Sequence, residues 1–113
     1  MSKFDEKVTQ YQKFMDDKGL KYNADLLRAV TKGLGPSIYK RDAETVSGSD
    51  AKELETVKKN FLIKKLGLND DAKLDSAIAA VIDKIGKSER SKYRAVVYYM
   101  LAVHFGKESV YGM

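Results

Sequence analysis

The stretch "KLDSAIAAVIDKIG", residues 73–86, decides the fold class of this chain. Its apolar side chains recur every three or four positions, which is the period of an α-helix with one buried face. They are Leu74, Ala77, Ile78, Val81, Ile82 and Ile85. Gly86 follows, and glycine commonly ends helices because it adopts the left-handed conformation cheaply. The stretch therefore predicts a helix that opens at NDDAK (69–73) and ends at Gly86.

Three more helices are predicted on the N-terminal side of this stretch. Each ends at a glycine, and these are Gly19, Gly33 and Gly67. The second helix begins after Asn23, whose side chain can cap a helix start. The third begins near Ser49 or Asp50, because Asp50 and Glu53 have the spacing of a capping box. No alternating strand pattern of useful length appears, so these segments predict helices alone.

A fifth helix is predicted on the C-terminal side. It begins at Ser88 or Ser91, runs to Phe105 and stops at Gly106. Its middle, "AVVYYMLAV" (95–103), is apolar on all sides, which indicates a helix at the centre of a bundle. The predicted fold is all-α: residues 1–113 form one domain, a compact bundle of about five helices plus one short helical turn at 36–41.

The turn lies in "GLGPSIYKRD" (33–42), which contains the only proline. Pro36 suits the first position of a helix, where its missing amide costs nothing. PSIYKR is therefore predicted as a helical turn and DAETVSGS (42–49) as the longest loop. An alternative is an anion site formed by Ser37, Lys40 and Arg41, because helix N-termini attract phosphate. The P-loop and dinucleotide-binding motifs are both absent.

Composition restricts the surroundings in which the chain works. It has no cysteine, which excludes disulfides and thiol catalysis and suits a reducing cytoplasm. The charged start "MSKFDEKVTQ" lacks the apolar run of a signal peptide. The longest uncharged apolar run is 95–103, much shorter than the about 20 residues of a membrane span. We therefore expect a cytoplasmic protein that does not cross a membrane.

The sequence contains no recognisable catalytic or metal-binding motif. His104 is the only histidine and lies near a predicted helix end, where a partly charged imidazole interacts well with the helix dipole. Asp70, Asp71 and Asp75 cluster, but they lack the EF-hand pattern and belong at a helix start for capping reasons. We expect no cofactor and no metal, and nothing indicates an enzyme.

Two groups of residues suggest binding. The net charge of +5 and the pI of about 9.3 admit nucleic acid as a partner. The candidate phosphate contacts are Lys58, Lys65, Arg90 and Arg94, although lysines on an amphipathic helix commonly form only its solvated face. The second group consists of Tyr98, Tyr99 and Tyr111, since tyrosines are common at the edges of cores and at interfaces.

The segments "VTKGLGPSIYKRDAETVS" (30–47) and "KYRAVVYYMLAVHFGKESVY" (92–111) carry a family resemblance. The chain resembles, over nearly its whole length, a family of small bacterial proteins classed as a domain of unknown function (number twenty-eight fifty-three). The resemblance implies an all-helical, bacterial, cytosolic protein. It supplies no catalytic or binding residues.

Three functional hypotheses follow. The first is a non-enzymatic protein that acts through protein–protein interaction or as a homodimer, because catalytic motifs are absent and the last helix is apolar and rich in tyrosine. The second is a weak, salt-sensitive nucleic-acid binder. The third is an enzyme, or a small-anion or ligand binder, with a pocket in residues 33–41 near Ser37, Tyr39 and Lys40.

Overall fold

Six α-helices account for most of the residues that the computed structural model describes, which are residues 2–112. The helices are α1 (Lys3–Asp17), α2 (Ala24–Gly33), α3 (Arg41–Glu44), α4 (Ala51–Thr56), α5 (Ala72–Ile85) and α6 (Arg94–His104). A π-helix over Val57–Ile63 continues α4, and 3-10 turns occupy Gly35–Tyr39 and Glu108–Tyr111. Within residues 2–112 there is no strand, only an isolated bridge between Thr45 and Tyr93. The all-α prediction is confirmed.

Polar side chains cap the helix starts that the sequence marks. Asn23 Oδ1 accepts hydrogen bonds from the amides of residues 25 and 26, at 2.9 and 3.2 Å. Asp71 accepts from the amide of residue 73 at 2.8 Å, and Asp50 from that of residue 52 at 2.9 Å. Only one half of the predicted capping box forms. Asp50 caps the helix, but Glu53 pairs with Arg94 instead of accepting a hydrogen bond from the backbone of Asp50.

The last helix begins later than the sequence predicts. α6 starts at Arg94 rather than at Ser88 or Ser91. Residues 87–90 form a turn and a bend instead, and Tyr93 joins a bridge to Thr45, next to which the carbonyl of Lys92 accepts from the Val46 amide at 2.7 Å. This contact joins segments far apart in the sequence, so local spacing could not reveal it.

The predicted loop 42–49 contains most of a short helix. α3 forms because the carbonyl of Lys40 accepts from the amide of Glu44 at 2.9 Å. The Glu44 carboxylate accepts from Lys7 Nζ at 2.8 Å and from the Tyr11 hydroxyl at 2.7 Å, which fixes α3 on α1. Burial, together with the nearby Glu44 carboxylate, raises the pKa of Tyr11 well above its usual range.

α6 lies at the centre of the bundle, as its apolar sequence predicts. Val96, Val97 and Leu101 are completely buried. α6 packs against α1, α2, α3 and α5. The C-terminal turn returns to α2, where half-buried Tyr111 packs on Gly33. No helix in residues 2–112 combines the length and the apolar character that crossing a membrane requires.

Candidate functional site

The first candidate site is an apolar groove between the end of α1, α5 and α6. Its volume is about 520 Å³. The groove is lined by Met15, Gly19, Leu20, Lys21, Ala80, Val81, Lys84, Tyr99, Met100, Val103 and His104. Val103 is 43 % exposed, which is unusual for a valine on the most buried helix of the protein. The groove therefore presents apolar surface that this chain leaves uncovered.

The charges around the apolar groove are all of one sign. Lys21 and Lys84 stand on its rim beside His104, and no carboxylate lines it. Neither lysine forms an ion pair among residues 2–112. The groove therefore combines an apolar interior with positive charges that no neighbouring side chain neutralises.

The local sequence explains why the apolar groove stays open. α1 ends before Gly19, and α5 presents Ala80 there, so small residues border the space. Tyr99 forms part of its buried wall and is fixed in place, because its hydroxyl accepts from the Asn23 amide at 2.7 Å. The groove is thus preformed by helix ends and packed side chains.

The second candidate site is a polar cleft between two chain segments, residues 45–50 and residues 86–92. Its volume is about 900 Å³. Three serines, Ser47, Ser49 and Ser88, line it together with Arg41 and Arg90. Small-molecule sites have volumes of about 300–1,000 Å³, so the polar cleft is large enough for a metabolite.

Two buried cations hold the walls of the polar cleft. Lys92 is only 5 % exposed, and its ammonium donates to the carbonyl of Lys87 at 2.9 Å and to that of Glu89. Arg94, which is 9 % exposed, donates through Nε to the Ala43 carbonyl at 2.7 Å. A buried charge is costly unless hydrogen bonds compensate it, so these contacts fix both walls.

Arg94 also links the polar cleft to the core. Its guanidinium pairs with Glu53 and donates to the Tyr98 hydroxyl at 3.1 Å. The Tyr98 ring stacks on Phe61 of the π-helix, with the ring centroids 4.0 Å apart. Stacked aromatic rings stabilise a core beyond their burial alone, so this network ties α4, the π-helix and α6 together.

The three tyrosines of the predicted interface do not share one exposed surface. Tyr98 and Tyr99 are buried, at 7 % and 5 % exposure, and Tyr111 is half-buried on α2. Tyr98 faces Phe61, whereas Tyr99 lines the apolar groove. Of the three, only Tyr99 lies at a surface that a partner could contact through this groove.

The four predicted nucleic-acid contacts have different surroundings. Lys58 contacts Asp70 at 3.0 Å and Asp75 at 3.3 Å, and these hydrogen bonds raise its pKa. Lys65 lies over the Tyr111 ring, 5.2 Å from its centroid. Arg90 lines the polar cleft and Arg94 is buried. Nucleic-acid binding through these residues stays a prediction.

The three residues of the predicted anion site also lie in different environments. Ser37 donates to the Leu34 carbonyl at 2.9 Å, so its hydroxyl proton is used within the turn. Lys40 is exposed, and Arg41 lines the polar cleft. The structure thus brings Arg41 close to the serines of the cleft rather than to a site at Pro36.

Sequence reasoning did not find the apolar groove. Lys21 and Val103 belong to opposite ends of the chain, and only the packing of α1 against α6 brings their segments together. No local signal marked it, because the apolar run 95–103 predicts a helix buried on all sides, and only the fold leaves Val103 exposed.

Comparison with known proteins identifies the family. The sequence model of the family described as "Protein of unknown function (DUF2853)" matches residues 10–109. The chain belongs to this family, which confirms the resemblance seen in its sequence. A search of curated proteins found no match.

Proposed function

We propose that this member of the DUF2853 family is a non-enzymatic protein-interaction module, and that its apolar groove binds an acidic amphipathic helix of a partner protein. The observation that carries the proposal is the combination of exposed apolar surface with unneutralised positive charge in one groove. We also propose that the protein is a single-domain, cytoplasmic, bacterial protein, as its composition and resemblance suggest.

The shape and composition of the apolar groove support a helical ligand. Amphipathic helices bind in apolar grooves through side chains spaced three or four residues apart. Met15 and Met100 line the groove, and methionine adapts its unbranched side chain to ligands of different shapes. Val103 would be covered by such a ligand, which would remove its apolar surface from water.

The charge of the rim specifies an acidic partner. Complementary charges steer encounter and disfavour wrong partners. Lys21 and Lys84 would each gain a carboxylate that this chain does not provide. A second copy of the chain fits less well, because its net charge of +5 opposes approach to a basic rim.

The test measures binding of two labelled peptides by fluorescence anisotropy. Both peptides have about 16 residues, enough for a marginal helix, with leucines at helical spacing. One carries glutamates on its polar face and the other carries lysines. We expect the acidic peptide to bind with a Kd on the order of 10 μM and the basic peptide to bind at least about ten-fold more weakly.

Two variants locate the binding surface. Val103→Glu places a carboxylate in the apolar groove and is expected to weaken binding of the acidic peptide at least about ten-fold. Val110→Glu is the matched control, because Val110 is also exposed (36 %) but lies in the C-terminal turn, outside the groove. Equal binding of both peptides, equal effects of both variants, or no binding at millimolar concentration would overturn the proposal.

Two other occupants give distinct outcomes. Concentration-dependent dimerisation of the wild type, lost in Val103→Glu, would replace the acidic partner by a second copy. Competition of the acidic peptide by random DNA would assign the basic rim to nucleic acid, and that binding would weaken steeply with salt.

A further inference from the structure

We infer that His104 makes the apolar groove sensitive to pH, so that the groove binds an acidic helix more tightly when the imidazole is protonated. This regulation rests on the proposed function, because it acts on the same groove. His104 lines the groove together with Lys21 and Lys84. A protonated imidazole therefore adds a positive charge to a rim that already carries both lysines.

The imidazole is the group of this rim whose charge changes near neutral pH. Histidine is the one side chain whose charge ordinarily changes between about pH 5 and 8, and His104 is the only histidine in the chain. The other titratable side chains that line the groove are Lys21 after α1, Lys84 on α5 and Tyr99 on α6. The charge of the groove near neutral pH therefore follows the protonation of His104.

The side chain of His104 is available to a ligand. It is exposed, and its ring meets the Phe105 ring edge to face, with the centroids 5.0 Å apart. Among residues 2–112 the imidazole forms neither an ion pair nor a side-chain hydrogen bond. Both ring nitrogens can therefore serve a group that the partner supplies.

No carboxylate among the groove-lining residues competes for the imidazole. Asp16 of α1 accepts from the Tyr22 hydroxyl at 3.3 Å. Asp83 of α5 pairs with Lys87 at 3.4 Å. The other acidic residues of α1 and α5 also lie outside the lining, and α6 has none; they are Asp5, Glu6, Asp17 and Asp75. A carboxylate that pairs with His104 in this groove would therefore come from the partner.

The charges around His104 explain the direction of the pH effect. His104 is the last residue of α6, where the helix dipole favours a positive charge, whereas Lys21 and Lys84 disfavour one. An acidic ligand neutralises the lysines and attracts the imidazolium. Binding therefore favours proton uptake at His104, and by linkage a lower pH strengthens binding. An exposed ion pair of this kind changes affinity about two- to five-fold.

The experiment measures the Kd of the glutamate-bearing peptide by fluorescence anisotropy at three pH values between about 5.5 and 7.5. The peptide is acetylated and amidated, so that its termini carry no charge, and glutamate side chains stay ionised throughout this range. For the wild type we expect a Kd about two- to five-fold higher at the upper pH than at the lower.

Two variants fix the charge at position 104. His104→Gln is neutral at every pH and is expected to bind as weakly as the wild type does at the upper pH. His104→Arg is charged at every pH and is expected to bind as tightly as the wild type does at the lower pH. In both variants the Kd is expected to change less than about 1.5-fold over the range.

Lys84→Gln is the matched control, because it removes a permanent charge from the same rim. It is expected to weaken binding at every pH while the ratio of the Kd values at the two ends of the range stays that of the wild type. A wild-type Kd that is constant or falls with rising pH, or an unchanged pH dependence in His104→Gln, would overturn the inference and leave the proposed function intact. Failure of the acidic peptide to bind at any pH would overturn both.

Discussion

Replacing Arg94 by methionine tests whether the network behind the polar cleft stabilises the fold. Methionine keeps an apolar stem but removes the guanidinium that serves Glu53, Tyr98 and Ala43 together. Removing one partner of a buried ion pair lowers the free energy of unfolding by about 3–5 kcal/mol, because the remaining charge is left uncompensated. Glu53 is 25 % exposed, so water compensates part of its charge. We therefore expect Arg94→Met to lose about 2–3 kcal/mol of unfolding free energy.

The assay is urea denaturation of four proteins: the wild type, Arg94→Met, Glu53→Met and the double variant. Apolar replacement of both partners of a buried pair is often neutral or stabilising. We expect the double variant to be more stable than Arg94→Met by at least about 1 kcal/mol. The matched control is Arg28→Met, since Arg28 pairs with Asp5 on the surface and such pairs contribute at most about 1 kcal/mol.

Two results would refute this reasoning. The first is a stability of Arg94→Met within about 0.5 kcal/mol of the wild type, which is the range of an ordinary surface substitution. The second is a double variant as unstable as the sum of the two single variants, because the two side chains would then act independently.

Two further predictions concern the end of α5 and the C-terminal turn. Gly86 has φ +114°, so Gly86→Ala is expected to cost about 1–3 kcal/mol in urea denaturation. Gly33 has a helical backbone and a Cβ there would meet Tyr111 at an ordinary 3.5 Å, so Gly33→Ala is expected to leave stability unchanged or to raise it by up to about 1 kcal/mol. Equal costs would contradict the role of backbone strain. Burial, with Tyr98 nearby, raises the pKa of Tyr111 to about 12 from its ordinary value of 10.0. The folded state therefore holds this proton more tightly, and stability is expected to fall as pH rises from about 10 to about 12. Tyrosinate absorbance should show one group fewer titrating near pH 12 in Tyr111→Phe than in the wild type, and equal numbers in both proteins would contradict the assignment.

The sequence predicts the helices wherever local signals are sufficient. The apolar spacing of 74–85, the cap at Asn23 and the glycine after α5 are all local features, and the structure confirms each of them. The start of α6 was missed because Lys92 pairs with Val46 across a long stretch of chain. Periodicity over neighbouring residues carries no information about such a contact.

The candidate sites were much less predictable than the helices. The sequence predicts Arg94 as a basic surface residue, but in the structure it pairs with Glu53 and is buried. Arg41 and Arg90 come from segments that only the fold brings to one cleft. Charge counts along the chain describe composition, whereas a site depends on which charges the tertiary structure leaves without partners.

The most direct measurement of the central claim maps the acidic amphipathic peptide on the protein by ¹H–¹⁵N NMR. We expect the amides of Leu20, Lys84, Met100 and Val103 to shift during the titration, while those of residues 45–50 do not. The same shifts should be absent in Val103→Glu, whose other resonances should match the wild type. Shifts confined to the polar cleft, shifts spread evenly over the lysine-bearing helices, or no shifts at all would contradict it.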